Sequence, residues 1–126
     1  MARLPYGESS FRQLYDNYQT KAAKRRLIFE LTVDEFRALT RQDCFICGRP
    51  PANSYLHDRS SNGEYTYSGI DRMDNNQGYT TENCVPCCKH CNFAKGKGSL
   101  EELMLYIYDA YNHCIAPALI TDEEEE

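Results

Sequence analysis

At 126 residues the chain is the size of one domain, large enough for a modest core and small enough to gain from a metal staple. Charged residues make up 26% and hydrophobic ones 41%, no apolar run is long enough for a membrane span, and the N-terminus lacks the apolar stretch of a signal peptide. These features exclude a membrane or disordered class and predict an intracellular protein, cytoplasmic or nucleoid-associated, with no membrane partner. The net charge of −5 is not spread over the chain. Residues 1–50 carry nine Lys/Arg against six Asp/Glu, residues 51–98 carry five of each, and residues 99–126 carry eight acids and no cation. Five of those acids form the run at 122–126, which reads as a solvated, disordered tail or as a shield for a basic surface.

In chain order, residues 1–7 read as a loose lead-in. Ser9 or Ser10 can cap a helix running to about Lys24, with Phe11, Leu14, Tyr15, Tyr18 and Ala22 on one apolar stripe. That helix ends in Lys21-Ala-Ala-Lys24-Arg25-Arg26. The cluster is either a solvated last turn whose cations suit the helix dipole or a footprint for phosphates. Residues 27–31 (LIFEL) predict a short strand. Thr32-x-x-Glu35 is a capping-box signature for a short helix to about Thr40 that buries Phe36 and Leu39.

Cys44-Phe-Ile-Cys47-Gly48 has the spacing of a zinc knuckle, with Gly48 permitting the tight turn that aims amides at sulfur. Pro50-Pro51 stops regular structure, and residues 52–64, including His57, read as a surface loop. Tyr65-Thr-Tyr67 alternates toward Ile70 as the first strand of a hairpin and ends at the acids Asp71 and Asp74. Asn75-Asn76-Gln77-Gly78 turns the chain, and residues 79–85 predict the second strand. A second knuckle leads into a short helix to Lys95, which Gly96 and Gly98 break. Ser99-x-x-Glu102 is another capping box, opening a helix to about Cys114 whose stripe of Leu100, Leu103, Met104, Ile107, Tyr111 and Cys114 reads as core. Pro117 and the acidic tail follow.

Seven cysteines, an odd number with no secretory signal, argue for metal in a reducing compartment rather than a disulfide framework. Cys44-x-x-Cys47 and Cys88-x-x-Cys91 lie 40 residues apart and suggest four thiolates around one tetrahedral zinc. Cys84-x-x-Cys87 has the same spacing as the second pair, and His90 is an alternative ligand. Cys84 and Cys114 read as small buried hydrophobes. Zinc clamping both ends of the hairpin unit would let Asp71 and Asn92 converge on a second, oxygen-ligated metal.

The order C-x-x-C, I-D-R-x-D-N (70–75), G-Y-T-x-x-N (78–83), C-x-x-C-N (88–92) resembles the zinc-containing HNH, or ββα-metal, nucleases of phages and related mobile elements. The resemblance covers residues 27–96 well and the terminal helices more loosely. It implies an α+β fold: a small zinc-stapled ββα-metal core at 27–98, an N-terminal helix within 1–26, a C-terminal helix at 99–116 and the tail at 117–126. It favours Cys88 and Cys91 over Cys84 and Cys87 as zinc ligands, because the family's second pair sits directly before the metal-site asparagine. It further implies that Asp71 and Asn92 hold a catalytic Mg²⁺ or Mn²⁺ and that Asn83 braces the hairpin loop. Lys24, Arg25, Arg26, Lys89, Lys95 and Lys97 become candidate DNA contacts.

One position departs from the family pattern. Where the resemblance places a histidine base, this chain has Arg72, whose guanidinium cannot take a proton from water. Three readings follow. Asp74 or His57 acts as base while Arg72 clamps phosphate; the metal alone generates hydroxide; or hydrolysis is lost and a zinc-stabilised DNA-binding module remains. The first two make the chain a metal-dependent DNA endonuclease, of nicking or homing type. RNA as substrate and a purely structural zinc protein stand as further alternatives, and high sequence specificity would call for a homodimer or a host-protein partner.

Overall fold

The computed structural model describes residues 3–119, so the acidic run at 122–126 lies outside the described residues. Helix α1 (Glu8–Lys24) starts two or three residues earlier than its serines suggest. Its N-cap is Gly7 at φ 79°, whose N–H donates to the Asn62 carbonyl at 2.6 Å. A β-carbon on Gly7 would sit 2.8 Å from the Glu64 carbonyl oxygen, so only glycine fits there without movement. Neither Ser9 nor Ser10 is the cap. Ser10 is fully buried, donating its hydroxyl to the Gly63 carbonyl and accepting the His57 N–H.

Helix α2 (Val33–Thr40) has the expected reciprocal cap, with Glu35 N–H on Thr32 Oγ1 at 3.1 Å and Thr32 N–H on Glu35 Oε1 at 2.8 Å. Residues 27–31 do not form a strand. They make one isolated bridge, Phe29 with Tyr79, flanked by Tyr79 N–H to the Ile28 carbonyl and Glu30 N–H to the Tyr79 carbonyl. Just before this bridge, Gly78 packs so close to the Ile28 backbone that a side chain would collide.

The strand pairing also differs from the expectation. Ser68 is buried and ties its N–H to the Thr40 carbonyl and its hydroxyl to the Gln42 carbonyl, which splits the 65–72 run in two. The segment read as a surface loop contains β1 (Asn53–Tyr55), and β2 (Tyr65–Tyr67) pairs back onto it antiparallel, Asn53 opposite Tyr67. Strand β3 (Gly69–Arg72) pairs with β4 (Cys84–Cys87), Gly69 opposite Cys87 and Arg72 opposite Cys84. Residues 79–83 therefore belong to the connection rather than to the second strand. Helix α3 (Lys89–Lys95) follows at once, completing a β–β–α unit.

Phe11, Leu14, Leu31, Phe36, Tyr65 and Cys84 form the buried core between α1, α2 and the strands. Aromatic edges meet there, Phe11 with Tyr65 at 4.9 Å and Tyr18 with Phe36 at 5.0 Å between ring centroids. Cys84 and Ile70 carry the β3–β4 hairpin onto this cluster. Helix α4 (Leu100–Ala110) is capped by Ser99, but only its first turn docks. Leu100 and Leu103 are buried, whereas Met104, Ile107, Tyr111 and Cys114 are exposed, contrary to the expected core stripe. Helical periodicity places these groups on one face; it does not supply anything to cover that face. The helix continues past Cys114 through a π-helical turn (Tyr111–Ile115) into α5 (Ala116–Leu119).

The rim of the core holds an ion pair whose effect on stability has a defined sign. Glu8 Oε1 accepts from Arg37 Nη2 at 2.9 Å and from Arg12 Nε at 3.2 Å. The Arg37 guanidinium holds the Glu8 carboxyl below its ordinary value of 4.5. The stabilisation is therefore complete above pH 4.5 and is lost as pH falls through the lowered folded-state value. Wild type should melt higher than Glu8→Gln at neutral pH, and the two melting temperatures should converge in acid. A gap that persists unchanged at low pH would contradict this.

Candidate metal and nucleic-acid site

The first knuckle is built by its own amides. Gly48, at φ 77°, returns its N–H to the Cys44 carbonyl, and Phe45 N–H donates to the Pro86 carbonyl at 2.9 Å, docking the turn on β4. Cys88 is the N-cap of α3, its sulfur accepting the Cys91 N–H at 3.4 Å. The sulfurs of Cys44, Cys47, Cys88 and Cys91 all lie within 4.8 Å of one another. Cys47 and Cys88 are 3.6 Å apart, and a regular tetrahedron of thiolates about 2.3 Å from zinc has edges of roughly 3.8 Å.

The electrostatics single out two of these four, Cys44 and Cys47, as thiols favoured to ionise. Burial opposes ionisation of Cys44, but N–H groups of Cys47, Cys88 and Ile46 outweigh it and bring the thiol down to about 6. The Arg49 N–H holds Cys47 down as well, helped by its guanidinium at 3.2 Å. Cys91 is pushed up by burial and by the neighbouring sulfurs, because four thiols so close cannot all ionise without a cation among them. Burial pushes Cys87 up to about 12 and Cys84 up to about 11. Four cysteines that could hold zinc are thus gathered on two backbone turns, while Cys84 and Cys87 stay thiols within β4.

Beside the hairpin lies a cavity of about 860 Å³, walled by α1, β3, the hairpin loop and α3. Asp71 and Asn92 both line it, at the end of β3 and on α3. So do Lys21, Lys24, Arg25, Arg72, Lys95 and Lys97, six cations against the single carboxylate of Asp71. A protein with a net charge of −5 therefore presents a strongly electropositive recess. Tyrosines 18, 55, 67 and 79 and Asn17 supply the rest of the wall nearest α1 and β1–β2.

Asp71 is buried. Its Oδ1 lies 3.2 Å from the Lys95 ammonium, and its Oδ2 is buried with no hydrogen-bond partner. Burial pushes the Asp71 carboxyl up, while Lys95 and Arg72 pull it back only in part. The Lys95 ammonium also donates to Asn75 Oδ1 at 3.0 Å, and Asn75 Nδ2 reaches the carbonyls of Lys97 and Gly98. A buried carboxylate with one oxygen lacking a donor, in a cavity also lined by the Asn92 amide, is chemically suited to a divalent cation.

The remaining candidates are placed differently from the expectation. Arg72 is buried, and its Nη1 donates to the carbonyls of Asn75 and Gln77 at 2.7 Å each, so this nitrogen holds the hairpin loop rather than clamping a phosphate. Asp74 accepts from Asn76 N–H and Gln77 Nε2 within the same loop and does not line the cavity. His57 is exposed beside Asp58, also away from the cavity, so neither expected base is at the site. Asn83 is buried; its Oδ1 accepts from Asp74 N–H and its Nδ2 donates to the carbonyls of Asp74 and Gly78.

Among the expected DNA contacts, Lys24, Arg25 and Lys97 line the cavity, while Arg26 is exposed outside its lining. Lys89 lines a different recess with Arg49 and the exposed His90, and Lys95 is buried in the Asp71 ion pair instead of facing solvent. Lys21, part of the basic cluster read as a possible phosphate footprint, also lines the cavity, as does Asn75, which the sequence left unassigned. Lys21 had a signal, lying three residues before Lys24 on one helical face. Asn75 had none beyond its place in a turn.

No family model matches the chain. Over 90 residues it is 36% identical to the uncharacterized protein R423 of Acanthamoeba polyphaga mimivirus. That match takes in 71% of this chain but spans only 15% of the viral protein's length. Among solved structures, the rare-cutting HNH restriction endonuclease PacI superposes with a TM-score of 0.56, covering 82% of this chain and 80% of that one at 22% identity. With the β3–β4–α3 unit and the four-cysteine cluster already described, this likeness identifies the fold as α+β of the HNH, ββα-metal type, with flanking helices.

Proposed function

We propose that the chain is a metal-dependent endonuclease acting on DNA, with residues 27–98 as its working core and a structural zinc on Cys44, Cys47, Cys88 and Cys91. One observation carries the reading: Asp71, which has a buried oxygen without a partner, lines with Asn92 a cavity whose other charged groups are all cationic. Asp71 and Asn92 would hold Mg²⁺ or Mn²⁺, which supplies Lewis-acid polarisation of the scissile phosphate and an acidified water. Lys21, Lys24, Arg25 and Lys97 bind the phosphates on either side and set the strand's position. Arg72 and Asn83 fix the loop that ends β3 and so hold Asp71 in place. Neither Asp74 nor His57 lines the cavity, which favours the reading with the metal as source of hydroxide.

The finer assignment is an intracellular nicking or homing-type enzyme of a phage or mobile element, taking its sequence specificity from a second copy or a host partner. The second reading, a DNA-binding module without turnover, is favoured by Arg72 alone. Supercoiled plasmid incubated with the zinc-loaded protein separates the two. Relaxation or linearisation that requires Mg²⁺ or Mn²⁺ supports the enzyme; salt-sensitive binding with no cleavage of several DNAs in either metal supports the module.

A further inference from the structure

Lys95 sits where a surface cation would be wasted. Its side chain is 2% exposed and that of Asp71 is 8% exposed, so both charges have left water to meet at 3.2 Å. Desolvating an ion pair is costly unless further bonds complete it, and here Asn75 Oδ1 takes a second proton of the ammonium at 3.0 Å. Asn75 is in turn fixed on both sides, by its amide to the Lys97 and Gly98 carbonyls and by Arg72 Nη1 on its own carbonyl. The result is an ammonium held rigidly on one oxygen of Asp71, with the other oxygen left bare. Lys95 is also three residues from Asn92 on α3, so the two project to the same side of the helix.

We propose that Lys95 is a positioning residue that restrains the Asp71 carboxylate and makes cation binding depend on the nucleic acid. This rests on the reading of Asp71 and Asn92 as the cation site. With Oδ1 engaged by Lys95, only Oδ2 is available to a metal, and the nearby positive charge opposes a dication entering alone. An incoming phosphodiester reverses the balance: its negative charge offsets the ammonium, and its oxygens complete the metal's coordination. The same ammonium keeps Asp71 from repelling that phosphodiester. Lys95 thus suppresses metal binding in the empty cavity and permits it when substrate is present.

The test is Mn²⁺ binding to zinc-loaded protein without DNA, read from the loss of the free-ion electron paramagnetic resonance signal. The panel is wild type, Lys95→Gln, Lys95→Met and Asp71→Asn, with folding checked by circular dichroism. Removing one positive charge beside a dication site should tighten Mn²⁺ binding by about tenfold in Lys95→Gln, which keeps a donor for Asp71. A short duplex should then improve Mn²⁺ binding less in that variant than in wild type. Unchanged or weaker Mn²⁺ binding in a folded Lys95 variant overturns the proposal, as does loss of the fold in both Lys95 variants, which would make the residue a structural brace. If wild type and Asp71→Asn bind Mn²⁺ alike with and without duplex, the cation site itself is wrong, and the role of Lys95 falls with it.

Discussion

Removing zinc from the protein is expected to unfold the β3–β4 hairpin and α3 together, and with them most of the domain. Two of the four sulfurs sit on the turn that docks on Pro86 and two at the start of α3, so one ion there would join both ends of the 44–91 segment. Structural zinc sites contribute about 10–16 kcal/mol in small zinc-finger peptides, as much as the whole stability of an ordinary domain, about 5–15 kcal/mol. The loss does not stay local, because Cys84 and Ile70 of the hairpin pack into the cluster of Phe11, Phe36 and Tyr65. Chelation, or Cys44→Ser, should abolish the cooperative melting transition, and elemental analysis of wild type should find one zinc per chain. Cys87→Ser should retain the zinc, since that thiol is buried outside the four-sulfur group. Zinc-free protein that melts at the wild-type temperature would contradict this.

Substituting Asn92 should separate activity from stability more cleanly than any other change. The residue is exposed on α3 and lines the cavity, so Asn92→Ala should alter stability by no more than about 0.5 kcal/mol. Losing one of two protein ligands to the catalytic cation should cut cleavage by roughly a thousandfold, about 4 kcal/mol of transition-state stabilisation. DNA binding measured without Mg²⁺ or Mn²⁺ should remain near wild type, because the cations proposed to meet phosphate are elsewhere on the wall. Cleavage that survives the substitution would remove Asn92 from the site. Parallel loss of melting temperature would show that it is structural.

The parts legible in the sequence were those set by near neighbours. The Thr32–Glu35 box, the Ser99 cap and the knuckle at Gly48 each depend on residues within a few positions; the first and last formed as read, and the box at Ser99 formed only its serine half, Ser99 Oγ accepting the Glu102 N–H. The grouping of Cys88 and Cys91, rather than Cys84 and Cys87, with the first pair came from the family resemblance, and the thiol positions agree with it. Several of the misreadings needed a distant partner, although Arg72 and Asp74 were engaged within their own loop. Tyr65–Tyr67 alternates equally well for either neighbour, and the choice of β1 depended on Ser68 being tied to the end of α2. Lys89 and Lys95 look alike as surface lysines of one short helix. The first faces Arg49 and His90 and the second enters an ion pair, a difference set only by what lies opposite each face of α3. The stripe on α4 was correct in period and wrong in consequence, because a helix that leaves the domain after Leu103 keeps its apolar face without cover.

The central claim is that Asp71 and Asn92 share one divalent cation. Anomalous scattering from crystals of the zinc-loaded protein grown with a short duplex and Mn²⁺ tests it most directly. The account predicts a manganese peak bonded to Asp71 Oδ2 and the Asn92 side-chain oxygen, separate from a zinc peak among the four cysteines. Manganese bound elsewhere in the cavity, with the Asp71 oxygen still empty, would contradict it.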